Sequence, residues 1–257
     1  MSEPPTESRW FPSPTLRPEA RLRLFCFPFG GGAASAFRLW QSKLPPSLEV
    51  WPVQFPGRES RADEPSAEDW RRLVEEMAEA IRPWLDRPFA FYGHSMGGML
   101  AYELTRQLRR MGAPLPQRLV VAAVLPLHTI PESFLGHVEE MPDANFLQTM
   151  TERYGSPMGV FVDPQARERA LRALRADVRL VNRYLHVSEP PLEVPFSTYS
   201  GRQDAEVPPE KMERWRELVT GDFRARSFEG GHFFLFNSRE AVQRALLEDL
   251  GLTAPAP

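Results

Sequence analysis

The residues of this chain best arranged for chemistry are Gly93-His94-Ser95-Met96-Gly97-Gly98, a serine with a glycine two places to either side. A serine hydroxyl is a weak nucleophile until a base takes its proton, so its use depends on where the backbone presents it. Pro88 to Tyr92 is an apolar, aromatic run that reads as a strand. Met96 to Met111 carries Leu100, Leu104, Leu108 and Met111 at helical spacing. A strand that turns into a helix at a serine is the G-x-S-x-G nucleophile elbow. Side chains at Gly93 or Gly97 would clash where strand and helix cross, and Ser95 itself is expected in a strained conformation. The alternative is a Gly-rich turn whose serine is passive.

An elbow serine needs an acid and then a histidine further along the chain. Pro195 to Ser200 reads as a strand, and Gly201-Arg202-Gln203-Asp204 follows at its C-terminal end, where open α/β sheets carry their working residues. Phe223 to Phe228 reads as the next strand, and Glu229-Gly230-Gly231-His232-Phe233-Phe234 leaves it in a glycine-loosened loop. Ser95 is therefore the expected nucleophile, Asp204 the acid and His232 the base. The chain has five histidines. His94 adjoins the serine but should point away from it, His128 follows the strand after the elbow helix, and His137 and His186 fall in an inserted region. Those four read as structural. Asp222 precedes a strand and Asp249 sits on a C-terminal helix, which makes them the weaker acids.

Acyl transfer also needs backbone donors for a developing oxyanion. The amide of Met96, just after the nucleophile, is the first. Leu22 to Phe27 is an apolar strand running into Pro28-Phe29-Gly30-Gly31-Gly32-Ala33-Ala34-Ser35, whose glycines allow close approach to a ligand, so the second donor is the amide of Gly30 or of Phe29. A phosphate-cradling loop is the rival, but neither G-x-G-x-x-G spacing nor a G-K-[ST] ending is present.

These residues must be held by an alternation of strands and helices, as in a mainly parallel sheet with crossover helices. Further strands are expected at Leu48 to Phe55 and Arg118 to Leu125. Helices are expected from an N-cap at Ser66 to Leu85, from Pro208 to Val219 and from Ser238 to Leu250. From 126 to 194 the alternation stops. This stretch reads as a helical lid, with Phe134, Leu135, Val138, Met141, Phe146, Leu147, Met150 and Tyr154 in its first part. A helix over Asp163 to Val187 follows, with Leu171, Leu174, Val178, Val181 and Leu185 as its stripe. The stripes either pack the lid on the body or line an acyl channel to Ser95. Arg172, Arg175, Arg179 and Arg183 lie roughly opposite, as a solvated face or a docking face for an acidic partner. The expected division is a flexible tail over 1–20, a core of 21–125 and 195–251, the lid over 126–194 and a second tail over 252–257.

At 257 residues, 42% of them hydrophobic, the chain can bury one substantial core. A net charge of −3 with mixed signs gives no electrostatic case for nucleic acid. No apolar run has the length of a spanning helix and the N-terminal stretch has no signal h-region, so a cytoplasmic protein without a membrane role is expected. The single cysteine, Cys26, lies in a core strand and cannot form an internal disulfide. Without H-E-x-x-H or paired C-x-x-C, neither metal nor cofactor is expected, and a monomer is the expected state.

Four stretches together carry a family resemblance: Phe25-Cys26-Phe27-Pro28-Phe29-Gly30-Gly31-Gly32, Val53-Gln54-Phe55-Pro56-Gly57-Arg58, the elbow, and Gly230-Gly231-His232-Phe233-Phe234. Over about residues 21 to 248 the chain resembles the stand-alone type II thioesterases of nonribosomal peptide and polyketide synthesis. The resemblance implies an α/β-hydrolase fold: a mainly parallel sheet with helices on both faces and a helical lid. It also implies a Ser-His-Asp mechanism acting on acyl, aminoacyl or peptidyl groups held as thioesters on the phosphopantetheine arm of acyl or peptidyl carrier proteins. The family's usual role is editing of stalled groups. Two departures stand out: Gly30 where the family commonly has alanine, and Ala122-Ala123-Val124-Leu125-Pro126-Leu127-His128 in place of a Ser-x-Arg-x-Ala-Pro-like run. An acyltransferase or cyclase, a general carboxylesterase and a non-catalytic carrier-binding module are the competing readings.

Overall fold

The computed structural model describes residues 8–12, 14, 16–155 and 164–252. Its described strands are β1 (Leu22–Phe27), β2 (Leu48–Pro52), β3 (Phe89–His94), β4 (Leu119–Ala122), β5 (Phe196–Gly201) and β6 (Phe223–Phe228). They form one parallel sheet in the order β2-β1-β3-β4-β5-β6. The direction of strand progression reverses between β1 and β3. Loops leaving those two strands at their C-terminal ends therefore diverge and open a crevice, which is where ligands bind in such sheets. The glycine loop leaves β1 there, and Ser95 leaves β3.

Alternation along each strand divides the core in two. Phe25, Phe27, Phe89, Phe91, Leu119 and Val121 face the side covered by α1 (Trp70–Ile81) and α2 (Met96–Arg110). Leu24, Cys26, Ala90, Tyr92 and Val120 face the side covered by α7 (Arg239–Asp249). Leu100, Leu104 and Leu108 of α2 are wholly buried, each stabilising the fold by about 1.5–3 kcal/mol.

Several boundaries differ from expectation for local reasons. Helix α1 starts at Trp70 rather than after Ser66, because the carboxylate of Asp69 accepts the Arg72 amide at 2.8 Å and caps it. It yields to a 3₁₀ turn over Arg82–Trp84 because Pro83 has no N–H to continue it. Strand β4 stops at Ala122, since Ala123 has φ +51° and breaks the ladder. The helix expected over Pro208 to Val219 is α5 (Pro209–Met212) followed by a 3₁₀ turn over Glu213–Glu217. There Trp215 is fully buried and its indole N–H donates to the Val124 carbonyl at 2.9 Å. The tail expected over 1–20 gives way at Trp10 and Phe11, which are buried, Phe11 packing 5.3 Å from Phe25. Of the tail expected over 252–257, Leu252 instead packs on the core and donates its amide to the Leu247 carbonyl at 2.8 Å, while 253–257 and the expected helix start at Asp163 lie outside the described residues.

Between β4 and β5 the described residues hold α3 (Asp143–Tyr154), α4 (Pro164–Asn182) and two 3₁₀ turns, plus an isolated bridge from Leu192 to Val219. Leu135, Val138, Phe146, Leu171 and Val178 make a small core of their own there. Leu185, expected in the apolar stripe, is exposed instead. Of the four arginines, Arg172, Arg179 and Arg183 are exposed. Arg175 turns inward, to Asp143 at 2.7 Å and to the carbonyls of Met141 and Glu139.

Candidate active site

Ser95 occupies the tip of the turn between β3 and α2 with φ +53° and ψ −120°, a conformation that costs on the order of 1–3 kcal/mol and is held by its surroundings. Its amide donates to the Ala122 carbonyl at 2.7 Å. The neighbouring glycines are sterically required. A Cβ on Gly93 would lie 2.3 Å from the Gly97 carbonyl oxygen, and one on Gly97 would lie 2.2 Å from that of Phe27.

The three residues expected to act together form one hydrogen-bonded chain. His232 Nε2 lies 3.0 Å from Ser95 Oγ, and His232 Nδ1 lies 2.8 Å from Asp204 Oδ2. A carboxylate only accepts, so Nδ1 carries the proton and the Nε2 lone pair faces the serine hydroxyl, as a general base requires. Asp204 and His232 are both buried. Burial alone would push the Asp204 carboxyl up. The hydrogen bond and charge of His232, with the amides of Val207 and Glu206 at 3.0 and 3.1 Å, outweigh it and hold the group below its usual range. Asp222 and Asp249 have other tasks: the first pairs with Arg118 at 2.6 Å, the second with Arg226 at 2.6 Å and the Tyr199 hydroxyl at 2.9 Å.

His94 points away from the serine and is wholly buried, its Nε2 donating to the His232 backbone carbonyl at 2.8 Å. It thereby fixes the loop that carries the base, a role that sequence position alone did not reveal. His128 pairs with Glu217 at 2.7 Å, His186 lies 3.3 Å from the Tyr184 hydroxyl, and His137 is exposed.

Backbone donors meet the serine across an apolar cavity of about 120 Å³, far more than the ~10–15 Å³ that one water needs. Phe29, Gly30, Ser95, Met96 and His232 line it from the body, and Phe134, Leu147, Met150, Tyr154, Leu174 and Val178 from the helical segment. Of the other segment residues expected near the site, Leu135 also touches it, while Val138 and Phe146 sit in the segment's own core and Met141 is exposed. Tyr154 lies with its ring 4.7 Å from that of His232. Among the described residues, the amides of Met96, Phe29 and Gly30 find no protein acceptor, whereas that of Gly31 donates to Asp177 at 2.7 Å and that of Gly32 to the Phe29 carbonyl at 2.8 Å. The amides expected for an oxyanion are therefore among those without an acceptor around the cavity. At Gly30 a Cβ would meet nothing nearer than 3.7 Å, so glycine rather than alanine is not sterically enforced there. Ala123, Val124 and Leu125, from the second departing stretch, all line the cavity.

The Gln54-to-Arg58 stretch supports the glycine loop from behind. Gln54 is buried, accepts the Ala34 amide at 3.1 Å and donates to the Arg58 carbonyl at 3.0 Å. Arg58 donates to the Gly32 carbonyl at 3.0 Å and makes a two-pronged ion pair with Asp177 of α4, at 2.6 and 2.7 Å. Asp177 went unnoticed in the sequence. Its signal was a lone carboxylate between Leu174 and Val181 on an apolar helix face, which needs a buried cation.

A parallel sheet with a serine elbow at its switch point and a histidine and an aspartate on the following loops is an α/β-hydrolase. A model of the thioesterase domain matches residues 22–250. The gramicidin S biosynthesis protein GrsT of Aneurinibacillus migulanus is 34% identical, over 95% of each chain. RedJ, the thioesterase of the prodiginine pathway in Streptomyces coelicolor, superposes with a TM-score of 0.83 at 35% identity, covering 94% of this chain and 98% of its own. The type II thioesterase BorB of the borrelidin cluster gives a TM-score of 0.82 at 32% identity, covering 91% and 94%. The chain belongs to the thioesterase family and is a serine-based thioester hydrolase.

Proposed function

We propose that this enzyme edits assembly lines, removing acyl, aminoacyl or peptidyl groups from the phosphopantetheine arm of acyl or peptidyl carrier proteins. The observation that carries the mechanism is the unbroken chain from Asp204 through His232 to Ser95, opening onto an apolar cavity. Ser95 Oγ attacks the thioester carbonyl while His232 takes its proton, and the amides of Met96 and Gly30, with Phe29 as the other candidate, receive the oxyanion. The C–S bond breaks as His232 returns the proton to the leaving thiol. Water, deprotonated by the same histidine, then cleaves the ester to a free acid and regenerates Ser95. Asp204 holds the imidazole in the working tautomer and stabilises its charged form.

In this reading the helices between 126 and 194 are the lid, and the carrier's own arm brings the substrate, so no bound cofactor is required. The protein acts as a monomer in the cytoplasm, without nucleic acid or membrane. The test is mass spectrometry of an acetyl-loaded carrier incubated with wild type and with Ser95→Ala. Free acid and free holo-carrier from wild type alone are expected. An acylated or cyclised product would instead identify a transferase, and equal carrier affinity without turnover in either protein would identify a binding module.

A further inference from the structure

The carboxylate of Asp177 stands on α4, yet every bond it makes reaches into the loops beneath. Oδ2 accepts the Gly31 amide at 2.7 Å and Arg58 Nη1 at 2.6 Å, while Oδ1 accepts Arg58 Nη2 at 2.7 Å. Both partners are almost sealed from solvent, Asp177 at 4% and Arg58 at 5% exposure. The same Nη1 donates to the Gly32 carbonyl at 3.0 Å, so the ion pair grips the glycine loop at Gly31 N–H and Gly32 C=O together. Helix α4 lies directly on the loop: a Cβ on Gly31, where φ is +74°, would come within 3.0 Å of Leu174 Cβ.

The consequence concerns the peptide between Phe29 and Gly30. Its carbonyl accepts the Gly32 amide at 2.8 Å. In a trans peptide the N–H points opposite to the C=O, so the Gly30 N–H is aimed away from that turn. The next peptide along, whose N–H is that of Gly31, would be free to rotate between two glycines but for Asp177. Donors that are aligned before the reaction stabilise an oxyanion far better than donors that must reorganise.

We infer that Asp177 is a positioning residue: through Arg58 and the Gly31 amide, helix α4 holds the glycine loop in the conformation that presents the Gly30 N–H to the thioester oxyanion. The inference rests on the serine mechanism proposed above. It assigns the lid helix a part in the chemical step as well as in enclosing the acyl group.

A trifluoromethyl ketone with a short alkyl chain provides the test. Ser95 Oγ adds to its carbonyl, the hydroxyl proton passes to His232, and the hemiketal oxygen carries the negative charge into the donor site. The matching methyl ketone occupies the same cavity without becoming an anion. In Asp177→Asn the trifluoromethyl ketone should bind weaker by about tenfold or more, below the full cost of losing one donor, while the methyl ketone is unchanged. Equal weakening of both, or of neither, would overturn the inference by reducing Asp177 to a packing contact. Should Asp177→Asn fold poorly, the neutral pair Asp177→Asn/Arg58→Gln removes the unpaired buried cation. It should recover thermal stability but not affinity for the trifluoromethyl ketone, and joint recovery of both would count against a positioning role. A wild type that the trifluoromethyl ketone does not inhibit would sink the serine mechanism itself, and this inference with it.

Discussion

His94 shows how a residue one place from a nucleophile can serve the site without touching substrate. Its Nε2 must donate, because its partner, the His232 carbonyl, only accepts, and its Nδ1 is buried without a partner among the described residues. Burial foremost, then the nearby His232, pulls its pKa down from 6.5 to about 3. Between those two values the unfolded chain binds a proton at this position and the folded chain does not. Stability must therefore fall as pH drops below about 6.5 and be flat above it, by up to about 1.4 kcal/mol per pH unit from this group. Asp204, held below the usual carboxylate range, stays ionised at pH 5 and above and adds no slope there. His94→Gln keeps an N–H for the His232 carbonyl and removes the titration. Urea unfolding between pH 5 and 7.5 should give a shallower pH slope for the variant, and parallel curves would show that His94 takes up its proton over the same pH range folded as unfolded. The hydrogen-bonded set was legible in the sequence because Ser95, Asp204 and His232 each follow a strand in a prescribed order. The bond from His94 to the His232 carbonyl was not, since it joins residues 138 positions apart and has no pattern of its own.

At the level of elements, the elbow was readable because its demands are local. Gly93 and Gly97 are needed where one strand and one helix cross, and that crossing is written in consecutive residues. The two elbow glycines of α2 should nevertheless respond differently to alanine. On Gly97 the new Cβ meets backbone, 2.2 Å from the Phe27 carbonyl oxygen of β1, which cannot yield without moving the glycine loop. On Gly98 it meets the Val124 side chain at 2.7 Å and backbone only at 3.1 Å, the Gly93 carbonyl oxygen, so smaller shifts relieve it. Gly97→Ala should cost about 1–3 kcal/mol or more in stability, and a displaced Ser95 should lower kcat by about 10²-fold. Gly98→Ala should lose less of both, and thermal melts with acetyl-thioester turnover will rank the two; the reverse order would mean that the backbone at Gly97 is the more yielding. Helix α4 was the harder element to read. Its apolar stripe was evident, but Asp177 is satisfied by an arginine 119 residues earlier, in a loop whose conformation no periodicity encodes. The same limit explains Arg175, which has the spacing of a solvated face and instead closes the turn before α3. It also explains Trp215, whose buried indole tightens a stretch that reads locally as one helix into a 3₁₀ turn.

For the molecule as a whole, substrate choice rests on a cavity that neither half builds alone. The body supplies the reacting groups and the stretch from Ala123 to Leu125, and the helical segment supplies Leu147, Met150, Leu174 and Val178. The segment is fastened along the C-terminal part of α4 and just beyond it. Asp177 ties it to the glycine loop, while the Trp70 indole donates to the Leu180 carbonyl at 2.6 Å and the Tyr184 hydroxyl to Glu103 at 2.6 Å. A wall held this firmly should discriminate by chain length, because an apolar pocket gains about 1–3 kcal/mol per methylene it accepts and loses that when the space is filled. Met150 lines this wall from α3, so Met150→Trp shortens the cavity without touching Ser95, His232 or the amides around them. Hydrolysis of acetyl-carrier should stay within about threefold of wild type, while octanoyl-carrier should lose kcat/KM by about tenfold or more, as one or two excluded methylenes require. A uniform loss across acetyl, butyryl and octanoyl carriers would instead place the acyl chain on another path, and would make the α3 wall a support for the ring of Tyr154 over His232 rather than a gauge of substrate length.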